Sequence, residues 1–167
     1  MLEIDRRRPL QGMERVHEIL LGIVRYWLPV TLWLLFAFFL SSGTFSTYNT
    51  FPVVSAVVGF LFPRLTPDQV EVINWTIRKW AHVLQYFVLG LLLFRAFRAR
   101  SAGGWTWRWT FFAVLGVFLL ALADEFHQSF VPTRTSSIMD VGIDTAGGAL
   151  AQYVAFLWYR CLGRRSG

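Results

Sequence analysis

Arg78 to Phe97 reads RKWAHVLQYFVLGLLLFRAF, and this stretch decides the fold class. From Trp80 onward it is a near-continuous apolar run, close to the roughly 20 residues that a transmembrane helix needs. Its polar residues are not scattered. An α-helix turns each residue by about 100°, so with Lys79 at zero, Tyr86 falls near ~340°, His82 near ~300°, Arg78 near ~260° and Gln85 near ~240°. All five share roughly a third of the helix circumference. Ionisable side chains at a membrane margin are costly when they face lipid. Such an arc is therefore expected to point into a bundle interior or a watery cavity, although Arg78 by itself reads as an ordinary snorkelling residue at a helix end.

Three more apolar runs flank this one: Tyr26–Leu40, Trp105–Ala123 and Val141–Tyr159. With 55% hydrophobic residues and a mean hydropathy of +0.47, a chain of 167 residues is too apolar for a soluble domain. The expected fold is an all-α membrane protein, a bundle of four transmembrane helices with flanking interfacial helices. The first run is long enough only if Arg25 snorkels and Ser41–Thr44 serve as a polar rim. Residues 1–24 read as an N-terminal tail with an interfacial helix, in which Leu10, Met13, Val16, Leu20 and Ile23 recur at helical spacing. Residues 25–160 form the membrane domain and 161–167 a short tail. Phe51–Phe62 is apolar but too short to span, which suggests a re-entrant or interfacial piece. Thr66-Pro67-Asp68-Gln69 reads as a helix start, with Thr66 and Gln69 as a capping box and Pro67 in the first turn. No Gly or Pro interrupts the chain from there to Gly90, so that helix is expected to run directly into the second span.

The net charge of +6 is a topology signal. Of the 16 basic residues, 12 lie before the first span, around the loop between the second and third, or in the tail. Arg64, Arg78, Lys79 and Arg134 alone fall on the other side. The positive-inside rule then predicts both termini in the cytoplasm and the motif-bearing loops outside. Membrane lipids, not nucleic acid, are the partner this distribution implies. Trp27, Trp105, Trp107, Trp109, Trp158 and Tyr159 are expected at the inner interface, and Trp75 and Trp80 at the outer one. Trp33, deep in the first span, reads as helix–helix packing. The first apolar run begins too late for a cleaved signal peptide, so it is expected to stay as an anchor. The single cysteine, Cys161, excludes an intrachain disulfide.

Three further polar groups fall at the same membrane face. Asp124, Glu125 and Gln128 share a face at the end of the third span, with His127 on its flank. Adjacent acids at a helix C-terminus oppose the helix dipole and need another reason to be there. Asp140 and Asp144 open the fourth span, where the dipole accounts for the first better than for the second, about 6 Å deeper. They form one stripe with Gly147 and Ala151, a small-x-x-x-small pattern that lets another helix approach closely. Arg134 lies between these two groups. Lys79 is the one lysine beside 15 arginines, and its ammonium is chemically distinct from a fixed guanidinium. Paired carboxylates near histidine suit acid–base work. They suit a divalent cation less well, since no HExxH-type spacing is present. No metal and no cofactor are expected.

Lys79-x-x-His82-x-x-Gln85-Tyr86-x-x-Leu89-Gly90, Asp124-Glu125-x-x-Gln128-x-x-Val131-Pro132-x-Arg134 and Asp140-x-x-x-Asp144-Thr145-x-Gly147 together resemble the VanZ-like family. The resemblance covers residues 79–151. Gln85 departs from a glutamate often found before the tyrosine, and Asp144 stands where asparagine is also common. The resemblance implies a bacterial cytoplasmic-membrane protein of the cell envelope, associated with resistance to the lipoglycopeptide teicoplanin. It leaves the biochemical activity open, because fold and name do not fix chemistry.

Two classes of function follow. In the first, the site is enzymatic and acts on a lipid-linked or cell-wall precursor. Lys79 and Arg134, with Tyr86, bind an anion, Glu125 or His82 serves as acid–base, and Asp140 and Asp144 orient partners, with Asp124 and Gln128 as further catalytic candidates. In the second, the cluster binds an anionic lipid headgroup or the lipid tail of an antibiotic without turnover. A small transporter comes third, since four helices need to oligomerise to form a pathway.

Overall fold

A computed structural model describes residues 7–41, 47–99, 105–131 and 136–163. It contains five helices: α1 (Arg7–Ser41), α2 (Thr47–Leu61), α3 (Pro67–Arg98), α4 (Trp107–Gln128) and α5 (Ile138–Gly163). Among the described residues there is no strand. Three of the helices are long and apolar enough to cross a membrane, namely α3, α4 and the part of α1 from Glu14 to Leu40. The chain is a membrane protein.

Local chemistry explains the element boundaries. The Thr66 side chain accepts from the Gln69 amide, and the Gln69 side chain accepts from the Thr66 amide at 2.9 Å. This capping box starts α3, which then runs unbroken for 32 residues into the membrane stretch. The interfacial helix expected before the first span is not a separate element. It is continuous with the span in the 35-residue α1, because nothing between Leu10 and Tyr26 breaks a helix. Pro29 lies inside α1 and has no N–H, so the Arg25 carbonyl lacks its usual helical donor. Arg95 of α3 supplies one, its Nη2 donating to that oxygen at 3.4 Å. The short apolar stretch after the first span is itself helical and forms α2.

The core is made by α3, α4 and α5. Helix α5 packs most extensively on α3 and then on α4, while α1 and α2 lean mainly on α3. Small residues set the approach. A Cβ added at Gly147 would stand 2.6 Å from the Val83 carbonyl oxygen, and one at Gly148 would stand 2.7 Å from Val117. Neither position admits a side chain, so the close contact rests on these glycines and on Ala151, which is wholly buried.

Burial is inverted relative to a soluble protein. Phe36, Phe38, Leu84, Phe111, Phe118, Leu119, Leu157 and Trp158 are exposed, whereas Asn74, Glu125, Gln128, Asp144 and Gln152 are buried. That is the arrangement expected where lipid surrounds the bundle and polar groups must find partners within it.

Candidate functional site

The polar arc of α3 meets the C-terminal end of α4 and the first turns of α5. Lys79 Nζ pairs with Asp140 Oδ1 and also lies 5.5 Å from the centre of the Trp75 ring. One turn deeper, His82 Nδ1 stands 3.3 Å from Asp144 Oδ1. Asp144 is fully buried; His82 is the partner of its Oδ1, and its Oδ2 has no hydrogen-bond partner. One turn deeper again, the Tyr86 hydroxyl lies 3.5 Å from Asp124 Oδ2, which also accepts from Gln128 Nε2 at 3.0 Å. Successive turns of one helix thus each face a carboxylate from another.

Glu125 resolves the difficulty of acids at a helix C-terminus. Its Oε2 accepts the backbone N–H of Ser137 at 2.7 Å, immediately before α5 begins. The positive end of the α5 dipole compensates the negative end of α4. The other oxygen, Oε1, is buried without a hydrogen-bond partner. Ser137 itself caps α5, its Oγ accepting the Met139 amide at 3.2 Å.

Beside this cluster lies a cavity of about 250 Å³, lined by Asn74, Arg78, His82, Gln85 and Asp124 and walled by apolar residues including Leu40 and Val54. An apolar groove of about 370 Å³ runs between α1 and α4, from Leu34 and Leu120 to Tyr86, Asp124 and His127. Asp124 lines both spaces. The His127 ring packs on Phe38 of α1, with centroids 4.6 Å apart, so this histidine faces the groove and not the paired carboxylates. Among the described residues no three His, Cys, Asp or Glu side chains come together around a metal-sized position. The cluster is organised as pairs.

Of the candidate residues read from sequence, Lys79, His82, Tyr86, Asp124, Glu125, Gln128, Asp140 and Asp144 converge at one end of the bundle. Arg134 lies outside the described residues. Arg78 reads from sequence as a snorkelling residue, yet it is half-buried and lines the cavity. Two buried polar residues escape a sequence reading that stops at Arg78. Asn74 lines the cavity, and its position near ~220° on the same wheel continues the arc by one turn. Gln152 of α5 donates to the Gly90 carbonyl at 2.9 Å and ties α5 to α3 deeper in the bundle. Trp33 donates to the Gln85 carbonyl at 3.0 Å and fixes α1 against α3, the packing role its depth suggests.

The VanZ/LLP1 family model matches residues 26–159. No curated protein and no solved structure matched in the corresponding searches.

Proposed function

Because the chain belongs to the VanZ/LLP1 family, we propose that it is a resistance-linked cell-envelope protein of the cytoplasmic membrane. In this reading the Lys79–Glu125–Asp144 cluster performs acid–base chemistry on the polar end of a lipid-linked precursor. The observation that carries it is a pair of buried carboxylate oxygens, Oδ2 of Asp144 and Oε1 of Glu125, that have no hydrogen-bond partner, next to His82 and Asp124, which line a cavity. A buried acceptor left unbonded costs about 1–3 kcal/mol, and sites that persist with such a cost are often chemical ones. The apolar groove next to Asp124 and Tyr86 suits an acyl or prenyl chain. His82 and Glu125 are the proton carriers, and Lys79 and Arg134 orient the anionic end of the substrate. Teicoplanin, itself lipid-bearing, fits the same combination of groove and polar end.

Binding without turnover is the second reading, and one observation favours it. Lys79 is already paired with Asp140, so its charge is neutralised within the protein. Chemistry separates the two readings. Incubation of purified protein with a lipid extract from its host membrane, followed by mass spectrometry, should give an altered lipid that depends on Glu125. Retention of unaltered lipid alone would establish the binder. In either case Ala37→Trp, which fills the groove without replacing any of the paired residues, is expected to remove the envelope phenotype of the wild-type protein at normal membrane abundance. A fully active Ala37→Trp would rule out the groove as the chain slot.

The fourth span and the orientation belong to the same proposal. Helix α5 has 26 residues, about 39 Å of helix. Its glycines, Asp140, Asp144, Thr145 and Gln152 lower its hydropathy, yet its exposed face carries Leu150, Val154, Leu157 and Trp158. A helix polar toward the bundle and apolar outward can cross a bilayer. The charge asymmetry supports an orientation with the cluster at the outer face and both termini inside. A membrane-impermeant thiol reagent added to intact cells is therefore expected to label Ser137→Cys and spare Cys161, and the opposite pattern would reverse the topology.

A further inference from the structure

From Lys79 to Arg95, α3 rises about 24 Å, so the far end of the bundle is a separate region. There α1, α3 and α5 enclose a groove of about 660 Å³ lined by Arg25, Arg95, Arg98, Tyr26, Trp158 and Tyr159, with Leu91, Phe94 and Val154 as its apolar side. No described residue lining it is acidic. The guanidinium groups of Arg25 and Arg95 lie 5.7 and 5.4 Å from the centre of the same Tyr26 ring. Arg98 lies 4.5 Å from the Tyr159 ring centre and donates to the Tyr159 hydroxyl. Arg95 is held in place by the Arg25 carbonyl that Pro29 leaves without its helical donor.

Among the described residues, Arg25 and Arg95 are thus positioned by a backbone oxygen and an aromatic face, and by no carboxylate. At the other end of α3 the protein meets Lys79 with Asp140. Like charges gathered at a low-dielectric margin repel one another unless an anion lies between them. Guanidinium forks match the oxygens of a phosphate in bidentate fashion, which a diffuse lysine patch does not. The aromatic rim and the apolar flank continue such a site into the acyl region of a leaflet. We propose that this groove binds a phosphate-bearing anion, supplied by the headgroup of an anionic phospholipid whose chains lie along Leu91, Phe94 and Val154.

The test uses the full-length protein in neutral detergent, with lipid retention read by native mass spectrometry. Phosphatidylglycerol is expected to be retained at least about tenfold more strongly than phosphatidylcholine, whose phosphate is the same but whose choline cation adds a positive charge beside the guanidinium groups. Arg25→Gln/Arg95→Gln should abolish that preference. Tyr26→Leu keeps every positive charge, so it leaves the topology signal intact, and it should weaken retention several-fold by removing the shared ring. Equal retention of the two lipids, or an undiminished preference in the double variant, would overturn the site. Inorganic phosphate at millimolar concentration should not displace bound phosphatidylglycerol. Displacement would identify a soluble phosphate compound as the source and overturn the lipid assignment.

Discussion

Glu125→Gln is expected to abolish the envelope phenotype of the protein while leaving its membrane abundance near wild type. Glu125 is 3% exposed, and its carboxylate does two separable things. One oxygen accepts the Ser137 amide and anchors the start of α5. The other is buried without a hydrogen bond. A glutamine side chain keeps the volume and, through its carbonyl oxygen, the bond to Ser137, but it cannot take up or release a proton. If Glu125 is the acid–base, the loss should approach the 10²–10⁴-fold (about) that such groups contribute. Glu125→Ala is a useful contrast, because it also strands the Ser137 N–H, a cost of about 1–3 kcal/mol. Its abundance should fall as well. The measurement is susceptibility of a deletion strain to teicoplanin, or another envelope phenotype of that strain, complemented at matched expression. Full complementation by Glu125→Gln would leave Glu125 as a structural tie and remove it from the chemistry.

The roles of these residues differ in how far the sequence discloses them. Helical periodicity puts Lys79, His82 and Tyr86 on one arc because the period of an α-helix is fixed, and the structure gives each of them a carboxylate in turn. The pairing itself is not legible, since which turn of α3 faces Asp140 or Asp144 depends on how deeply α5 slides along α3. The glycines set that depth: Gly147 rests on the Val83 carbonyl, which fixes Asp144 near His82. The small-residue stripe signals a close approach, but not the helix approached. Glu125 is harder still. Its partner is a backbone amide 12 residues away, and backbone amides leave no trace in residue type. Arg78 misleads for a related reason, since a basic residue at a membrane margin looks the same whether it snorkels outward or lines a cavity. The cavity against Leu40 and Val54 depends on how α1 and α2 lean on α3, which periodicity within a single helix does not encode.

Lys79 supplies the most severe test of whether the cluster is chemistry or scaffold. Lys79→Met leaves the Asp140 carboxylate without its counter-ion. Breaking a buried pair costs about 3–5 kcal/mol. With side chains 23% and 16% exposed, breaking this pair should cost less than that range, yet enough to reduce abundance. Phenotype and abundance should therefore fall together, and this single variant decides nothing. Lys79→Met/Asp140→Asn removes the stranded charge as well, so abundance should return. If the ion pair only holds α3 to α5, function returns with it. If the ammonium is needed for an anionic substrate or for proton transfer, function stays lost in a protein that is folded and present, and that is the expected result. Lys79→Arg separates the last two roles. A guanidinium keeps the charge and can still meet Asp140. It is broader and effectively never releases its proton, so it can replace lysine as an anion binder but not as an acid–base. In a chain that uses arginine at every other basic position, failure of Lys79→Arg to complement would assign the ammonium to proton chemistry. Full complementation would instead leave Lys79 as a positive anchor, with the proton carried by Glu125 or His82.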